Sequence, residues 1–339
     1  MTVRVGINGF GRIGRNFLRA VRSSGADVEV VALNDLVDAA ANAHLLRYDS
    51  TYGRFPGTVE TDGDGLVVDG RRIRALSERD PADLPWGDLG VEVVVESTGR
   101  FTKREAAAAH LKGGAQRVVI SAPANDADAT FVVGVNDGDY DPARHEVVSN
   151  ASCTTNCFVP MVKVLDDAFG VRTGLMTTVH AYTNDQEILD LARGDLRRAR
   201  AAAVNIVPST TGAARATGLV LSAMQGRLDG SSLRVPVQDG SITDFTAIVG
   251  AKVDKAAVNA AYATAATSGP LSAVLDYTED PVVSSDMVGV PASCTLDSQL
   301  TMTMPIDDAT TLVKVFGWYD NEWGYSNRLV DLVRIVGGA

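Results

Sequence analysis

The chain is poor in cysteine, in basic residues and in long apolar runs. Only three of its 339 residues are cysteine, which argues against a disulfide framework and is typical of a cytoplasmic protein. Lysine and arginine number 31 against 42 acidic residues, a net charge of −11, so we predict that neither nucleic acid nor an anionic membrane is a partner. The longest uncharged run, residues 256–275, contains glycine, proline and several hydroxyl residues, and predicts a helix and a turn rather than a membrane span.

Histidine is scarce too, with four residues in the whole chain. Cys157 repeats one helical turn after Cys153, but zinc needs four ligands and no further cluster of cysteine and histidine lies nearby in the sequence. We therefore predict a structural Cys157 and no metal site. Three histidines are predicted at the surface: His44, His145, and His110 near the end of an alanine-rich helix.

A glycine-rich turn follows the first predicted strand, residues 3–7. It has the spacing Gly9-x-Gly11-x-x-Gly14, opens a helix, and is followed by a second strand that leads into Asp35. This pattern is typical of dinucleotide binding, with the pyrophosphate on the helix N-terminus and the acid on the adenine ribose. Asp35 would repel a 2′-phosphate, so the pattern predicts NAD; a glycine turn beside a surface acid is the simpler alternative.

The first half of the chain alternates between strand and helix patterns. Apolar strands predicted within residues 91–99 and 117–123 end in small polar residues, which face the ligand crevice in a doubly wound sheet. The alternation predicts a Rossmann-type parallel sheet. The second half carries strands predicted at residues 174–182, 243–249 and 311–318, which indicate an α+β catalytic domain with a mixed or antiparallel sheet.

Cys153 lies where a predicted helix, residues 152–168, begins. In the first turn of a helix, free backbone N–H groups and the helix dipole favour the thiolate, which is the nucleophilic form of cysteine. The same N–H groups can stabilise an oxyanion formed when the sulfur attacks a carbonyl. A buried, inert cysteine is the simpler interpretation of this residue taken alone.

His180 stands at the end of the strand predicted at residues 174–182. A thiol at a helix start and an imidazole at a strand end form a workable thiolate–imidazolium pair if the fold brings them together. The alternative is a structural histidine whose ring is satisfied by its neighbours.

Three segments of the second half are candidates for anion binding. Residues 195–200 contain three arginines, which suit phosphate but equally suit a charged surface. The turn at residues 208–214 offers hydroxyl and N–H groups. Arg234 is a lone cation in an apolar strand, where it needs an anionic partner such as a substrate phosphate.

The chain resembles the phosphorylating glyceraldehyde-3-phosphate dehydrogenase family over nearly its whole length. The matching segments, in the family's order, are residues 8–15, 152–157, 178–183, 197–203, 233–236 and 318–326. The resemblance implies NAD-dependent oxidative phosphorylation of D-glyceraldehyde 3-phosphate to 1,3-bisphosphoglycerate, a glycolytic reaction that passes through a hemithioacetal and a thioester. It also implies a homotetramer.

The resemblance assigns roles to individual residues. Cys153 would be the nucleophile and His180 its base. The attacking inorganic phosphate would be bound by Ser152, Thr154, Thr211 and Gly212, and the substrate's own phosphate by Thr183, Arg198 and Arg234. NAD would be bound by Gly9, Gly11, Arg12, Ile13, Gly14, Asp35, Arg79, Ser121 and Asn321. The implied domains are an NAD-binding domain (1–152), a catalytic domain (153–320) and a C-terminal helix (321–339) that packs back on the NAD-binding domain.

Three places depart from the family pattern. Residues 192–194 read Ala-Arg-Gly in a loop that lies near the cofactor and a neighbouring subunit in the family, and Cys294 replaces a common serine or threonine. Phe158 and Val159 stand where a smaller Leu-Ala pair is common. We hypothesise that this pair makes the chain an isoform with an altered response to thiol-directed inhibitors.

Two other functions share parts of this pattern. An erythrose-4-phosphate dehydrogenase would use the same Cys153, His180 and NAD, and would differ in its preferred aldehyde. A non-catalytic NAD-binding regulator would bind the cofactor but leave Cys153 unreactive.

Overall fold

The computed structural model describes residues 1–338, which form two compact units. The first contains residues 1–133, 137–152 and the chain from Ser326 onward, and the second contains residues 134–136 and 153–325. Each has its own central sheet.

The first unit is built on a largely parallel sheet. Its strands are β1 (Val3–Asn8), β2 (Val28–Asn34), β3 (Tyr48–Asp49), β4 (Gly53–Arg54), β5 (Val59–Asp62), β6 (Gly65–Val68), β7 (Arg71–Leu76), β8 (Val93–Glu96), β9 (Arg117–Ile120), β10 (Ala129–Thr130) and β11 (Val147–Ser149). Its helices are α1 (Arg12–Ser24), α2 (Ala39–Arg47), α3 (Arg104–Ala107) and α4 (Ala109–Lys112). The strand order is β10-β11-β9-β8-β1-β2-β7-β6-β5, and β3 pairs with β4 separately.

The strand order reverses at β1, which has β2 on one side and β8 on the other, both parallel to it. The two connections therefore leave the sheet in opposite directions and open a crevice between the carboxyl ends of β1 and β8. β8 is buried on both faces, as an apolar strand of a covered parallel sheet must be. The predicted Rossmann-type architecture is confirmed.

Two local features of this unit are a tight hairpin turn and a divided helix. The turn at Asp69 and Gly70 joins β6 to β7 with φ of 49° and 78°, the left-handed geometry that matches the twist of a tight hairpin. The alanine-rich helix predicted to end near His110 is instead two short helices, α3 and α4, that meet at Ala108.

The second unit is built on a mixed sheet. Its helices are α5 (Cys153–Phe169), α6 (Ala213–Val220) and α7 (Lys255–Thr267), and α8 (Trp323–Gly337) begins in it and continues into the first unit. Its strands are β12 (Val171–Ala181), β13 (Val207–Thr210), β14 (Leu228–Val235), β15 (Ser241–Val249), β16 (Leu275–Thr278), β17 (Cys294–Asp297), β18 (Met302–Pro305) and β19 (Thr311–Tyr319). The order is β13-β14-β12-β15-β19-β17-β16, with β18 also on β19. β12 runs parallel to β14 and antiparallel to β15, which confirms the predicted mixed sheet.

Helix α5 covers the core of this sheet. Alternate residues of β15 and β19 are buried, and the Phe158 ring meets the Phe245 ring edge-on at 4.9 Å. A Cβ at Gly174 would lie 2.6 Å from Phe245, so glycine is needed there for the ring to fit. The Tyr262 hydroxyl donates to the Met161 carbonyl oxygen at 2.7 Å and attaches α7 to α5.

Candidate active site

The glycine-rich turn of the first unit has the geometry of a dinucleotide cradle. Gly9 has a φ of 91°, and a Cβ there would lie 2.7 Å from the Thr98 nitrogen. A Cβ at Gly14 would lie 2.2 Å from the Gly9 carbonyl oxygen, so only glycine lets α1 lie this close to the turn. At Gly11, in contrast, a Cβ would meet no atom of the described chain within 4 Å. The missing side chain there leaves room on the open side of the turn, which fits a close-lying pyrophosphate.

A cavity of about 280 Å³ opens beside this turn, at the carboxyl ends of β1, β2 and β8. It is lined by Asn8, Gly9, Gly11, Asn34, Asp35, Leu36, Glu78, Arg79, Ser97, Thr98, Arg100 and Phe101. Four of the predicted cofactor residues are among them: Gly9, Gly11, Asp35 and Arg79. The residue-level prediction missed Arg100 and most of the strand-end residues, although the polar end of β8 was the signal for this crevice.

Asp35 also holds the turn together. One carboxylate oxygen accepts from the Phe10 amide at 2.7 Å, and the other accepts from the Val37 amide at 3.0 Å. The acid predicted to bind ribose therefore keeps its place through backbone bonds on both sides.

Other predicted cofactor residues lie outside the lining of this cavity. The Arg12 guanidinium is 2.5 Å from Asp49 and lies over the Tyr52 ring. Ile13 belongs to the first turn of α1, and the Ser121 amide, just after β9, donates to the Glu96 carbonyl oxygen. Asn321 is buried in the second unit, where its side-chain oxygen accepts from the Ser241 hydroxyl at 2.7 Å.

The predicted exposure of His110 is wrong, because the ring is fully buried. The indole N–H of Trp86 donates to Nδ1 at 3.0 Å, which leaves the proton on Nε2 to be donated to Glu96, also at 3.0 Å. Glu96 further accepts from Asn8 at 2.6 Å and from the amide and hydroxyl of Thr98. A buried carboxylate with four donors thus fixes two residues that line the cofactor cavity.

His145 was also predicted at the surface and is instead mostly buried. Its Nδ1 accepts from the Asp141 amide at 3.0 Å, and its ring packs edge-on against Phe131. His44 is exposed, as predicted.

The structure brings Cys153 and His180 together, with Sγ 3.4 Å from Nε2. Cys153 is the first residue of α5, as predicted, and His180 is the penultimate residue of β12. The chain enters α5 through Ala151, a non-glycine residue in the left-handed region with a φ of 55°. Such a backbone is unfavourable for alanine, so the entry to the nucleophile's helix is locally strained.

The hydrogen bonds of His180 indicate its tautomer. Nδ1 lies 2.6 Å from the Ala181 carbonyl oxygen, to which it can only donate. Nε2 is then the ring nitrogen without a proton, and it faces the Cys153 thiol. One Arg234 nitrogen lies 3.0 Å from Nδ1 and donates to the Ala181 carbonyl oxygen and the Thr183 hydroxyl.

Burial of the pair opposes the thiolate–imidazolium form that the sequence predicts. Burial raises the pKa of the Cys153 thiol above its ordinary value, and the charge of Arg234 only partly opposes this rise. Burial, followed by the same charge, lowers the pKa of His180 to about 3. The protein's own groups therefore favour a neutral thiol beside a neutral imidazole, whose Nε2 can accept a hydrogen bond from the thiol.

Tyr319 connects α5, which carries Cys153, to β12, which carries His180. The Tyr319 hydroxyl lies 2.9 Å from that of Thr154 on α5 and 2.8 Å from that of Thr178 on β12. Its ring packs against His180 with a centroid distance of 5.9 Å. Neither threonine nor Tyr319 is charged, so periodicity and spacing in the sequence gave no sign of this bridge.

The residues predicted to bind the substrate phosphate form one cluster. Arg234 donates to the Thr183 hydroxyl at 2.8 Å, and Arg198 forms an ion pair with Asp185, which also accepts from Thr183. Asp185 was not predicted. The cluster places two guanidinium groups and a hydroxyl beside the Cys153–His180 pair, an arrangement suited to a phosphorylated substrate.

The residues predicted to bind the attacking phosphate are more dispersed. Thr154 is buried with its hydroxyl on Tyr319, so its backbone N–H in the first turn of α5 is the group it can offer an anion. Gly212 is exposed at the start of α6, and the Thr211 hydroxyl accepts from the Ala213 amide at 3.2 Å. Ser152 directly precedes Cys153 and is half-buried.

Cys157 is fully buried, with its sulfur 4.0 Å from that of Met161 and 3.6 Å from the Gly317 carbonyl oxygen. Cys294 is also buried and approaches the same glycine. Within residues 1–338 there is no group of three or more metal-binding side chains. In that same range, no helix combines the length and the apolar character needed to cross a membrane.

Comparisons with known proteins bear on both units. Residues 3–104 match the family model described as glyceraldehyde 3-phosphate dehydrogenase, NAD binding domain, and residues 152–321 match the model for its C-terminal domain. "Glyceraldehyde-3-phosphate dehydrogenase 2" of Streptomyces avermitilis and "Glyceraldehyde-3-phosphate dehydrogenase" of Streptomyces coelicolor are each 60% identical to the chain over 337 residues, covering 99% of both sequences. The protein of that name from Mycobacterium tuberculosis is 57% identical over 343 residues, again covering 99% of both.

These relatives give no support to the erythrose-4-phosphate or regulator alternatives. Both family models and the full-length identities point to one and the same family. The chain therefore belongs to the glyceraldehyde-3-phosphate dehydrogenase family, as an NAD-dependent oxidoreductase.

Proposed function

We propose that the chain converts D-glyceraldehyde 3-phosphate, NAD and inorganic phosphate into 1,3-bisphosphoglycerate, with Cys153 as nucleophile and His180 as base. The observation that carries this assignment is the 3.4 Å approach of the Cys153 sulfur to Nε2 of His180. A nucleophile and a base in contact, beside a phosphate-binding cluster, suit a phosphorylated aldehyde.

The first steps use His180 as a proton carrier. The Cys153 sulfur attacks the aldehyde carbon while Nε2 takes the thiol proton and passes it to the carbonyl oxygen, giving a hemithioacetal. Nε2 then removes the hydroxyl proton, so that the oxyanion can collapse to a thioester as the carbon loses hydride. NAD, when bound, supplies the acceptor for that hydride.

The thioester retains the energy of the oxidation because it is a reactive acyl donor. An oxygen of inorganic phosphate attacks its carbonyl carbon, the Cys153 sulfur leaves, and His180 returns a proton to it. We assign the substrate's phosphate to Thr183, Arg198 and Arg234. The attacking phosphate is assigned to Ser152, Thr154, Thr211 and Gly212, with backbone N–H groups as the main donors.

We assign NAD to the cradle of the first unit. The proposed contacts are Gly9, Gly11, Arg12, Ile13, Gly14, Asp35, Arg79, Ser121 and Asn321. The open space at Gly11 and the position of Asp35 on the cavity wall support this assignment. We also retain residues 1–152, 153–320 and 321–339 as the functional division of the chain.

The test is the absorbance rise of NADH in the presence of glyceraldehyde 3-phosphate, NAD and phosphate. Turnover should depend on phosphate and should vanish in Cys153→Ser, which keeps the shape of the side chain but is a far weaker nucleophile. Turnover that persists in Cys153→Ser, or that continues at full rate without phosphate, would reject the thioester route.

We further propose that the protein is a cytoplasmic homotetramer, as the family resemblance implies. Large apolar side chains of the second unit lie exposed in the single chain and suit burial between copies: Leu175, Ile188, Leu189, Leu191, Leu196, Val204 and Ile206. Light scattering coupled to gel filtration should give a mass near four times 35.7 kDa. A monomer mass at micromolar concentration would contradict this proposal.

The inhibitor hypothesis concerns Phe158 and Val159, which are both fully buried. Their side chains face the core, so an effect on the pocket has to act through the position of α5. Inactivation rates by an electrophile should differ between the natural chain and its Phe158→Leu/Val159→Ala variant. Equal rates would end the hypothesis.

A further inference from the structure

Asp185 occupies the groups assigned above to the phosphate of the substrate. One carboxylate oxygen accepts from the Thr183 hydroxyl and the other accepts from Arg198. These are charge-assisted hydrogen bonds of the kind that a phosphate oxygen would make at the same donors. The protein's own carboxylate and a phosphate group therefore compete for Thr183 and Arg198.

The charges of the cluster lead to the same conclusion. Arg198 and Arg234 are matched by Asp185 and by Asp195, which lies 3.5 Å from the Arg198 guanidinium. Two cations and two carboxylates leave the cluster formally neutral, which is a weak site for a phosphate dianion. The Nε of Arg234 is buried and has no acceptor in the part of the chain that the structure describes, so one donor awaits an anion.

Of the two carboxylates, only that of Asp185 can move away from the arginines without breaking backbone hydrogen bonds. Asp195 accepts from the amides of Arg197 and Arg198 at 2.9 and 3.3 Å and is thereby part of the turn that carries both arginines. Within residues 1–338, the side chain of Asp185 bonds only to Thr183 and Arg198, and it is 43% exposed. Released from these partners, it can be solvated directly.

We propose that Asp185 is a displaceable internal anion, which holds the phosphate donors in place in the empty site and is expelled when a phosphoryl group binds. The exchange makes the site more selective, because a ligand must offer more than a single carboxylate charge to displace Asp185. This proposal rests on the proposed function only for the identity of the phosphorylated ligand. The exchange itself concerns any phosphate that reaches Arg198 and Arg234.

The direct test is the binding of inorganic phosphate, without NAD or aldehyde, by isothermal titration calorimetry. Asp185→Asn keeps the side chain's size and removes the competing charge, and Asp185→Ala removes the competitor altogether. We expect both to lower the dissociation constant for phosphate by about three- to ten-fold, the range of an ion pair near the surface plus relief of charge repulsion. Asp229→Asn is the matched control, since Asp229 is an exposed carboxylate paired with Arg215 at 3.2 Å.

Kinetics separate the two possible sources of the phosphoryl group. If the substrate's own phosphate displaces Asp185, Asp185→Asn should lower the KM for glyceraldehyde 3-phosphate but not for unphosphorylated glyceraldehyde. If the attacking phosphate does so, the KM for inorganic phosphate should fall at saturating aldehyde. In either case the change should lie mainly in KM, because the variant alters binding and not the reacting atoms.

Several outcomes would overturn the proposal. An unchanged dissociation constant for phosphate in both Asp185 variants would mean that the carboxylate does not compete. A higher dissociation constant would mean that Asp185 only supports Arg198. An equal gain of phosphate affinity in Asp229→Asn would show that the effect comes only from the change in net charge. Failure of the proposed function is a separate result, recognised by the absence of phosphate-dependent NADH formation in the unmodified enzyme while phosphate still binds.

Discussion

Arg234 acts on both members of the Cys153–His180 pair. Its charge lowers the pKa of the Cys153 thiol against the opposing effect of burial, and it adds to the effect of burial in lowering the pKa of His180. The guanidinium therefore favours the thiolate and, at the same time, keeps the imidazole free of a proton. Burial and this one cation together leave a neutral imidazole beside the Cys153 thiol.

We predict that Arg234→Gln slows alkylation of Cys153 by uncharged iodoacetamide by roughly ten-fold at neutral pH. Removing the cation raises the thiol pKa, and below that pKa the thiolate fraction falls ten-fold for each unit of rise. The pH profile of the alkylation rate should shift to higher pH. Arg215→Gln, at an exposed ion pair on α6, removes the same charge and should leave the profile where it is. A profile unaffected by Arg234→Gln would contradict the assignment.

Glu96 is the residue that links the interior of the first unit to its cofactor cavity. We predict that Glu96→Gln destabilises the protein by about 2–4 kcal/mol, because the amide turns a donor toward groups that themselves donate. Urea unfolding measures this loss, and NAD titration should show weaker binding, since Asn8 and Thr98 donate to different oxygens of Glu96 and the amide keeps only one of them. Glu29→Gln breaks only an exposed pair with Arg4 and should change neither quantity by much.

At the scale of elements, the junction between β1 and α1 combines two separable requirements. Gly14 is needed because the helix lies against the Gly9 carbonyl oxygen, whereas Gly11 faces open space. Packing within the chain and access for a ligand are thus assigned to different glycines of one motif.

We predict opposite outcomes for alanine at these two positions. Gly14→Ala should cost about 2–4 kcal/mol of stability, because a Cβ would lie 2.2 Å from backbone and α1 would have to move. Gly11 has a φ of −72°, which alanine also adopts. Gly11→Ala should therefore change stability by less than about 1 kcal/mol, yet weaken NAD binding at least ten-fold. Thermal unfolding measures the stability of both variants, and calorimetric titration measures their affinity for NAD. If the two variants lost equal stability and equal NAD affinity, the two glycines would not have the separate roles proposed here.

For the molecule as a whole, acid stability depends on carboxylates held by arginines. Burial alone would raise the pKa of Asp128, but the Arg104 side chain and the amides of Val147 and Glu146 bring it below its ordinary value. A pKa lowered by folding contributes stability above the unfolded-state value of 3.8, and that stability is lost as the pH falls through the folded value. Asp49 beside Arg12 follows the same rule.

We predict that the melting temperature is nearly constant from pH 7 to 5 and falls steeply below pH 4. Asp128→Asn should be less stable than the natural chain by about 1–3 kcal/mol at pH 7, through its lost charge-assisted hydrogen bonds, and the gap should narrow toward pH 3. Calorimetric melting at a series of pH values tests this. A gap that widens as the pH falls would show that Asp128 is not the group being protonated.

Local features of the sequence predicted much of this protein correctly. The glycine spacing and the apolar strands predicted the parallel sheet and its cradle, because a tight turn and a covered strand each require particular residues within a few positions. A helix starting at Cys153 and a strand ending at His180 were likewise visible, since periodicity and end signals are short-range.

Other features were decided only where the chain folds back on itself. His110 and His145 were misassigned because burial depends on partners such as Trp86 and Phe131, which are distant in sequence. The protonation of Cys153 depends on desolvation and on Arg234, both of which arise from packing. The sequence by itself determined the family, the cradle and the residue types of the site. Tertiary structure alone decided which charged side chains pair, for example Asp185 with Arg198. The reason is that electrostatic and hydrogen-bonding partners are set by distance in space and not by spacing along the chain.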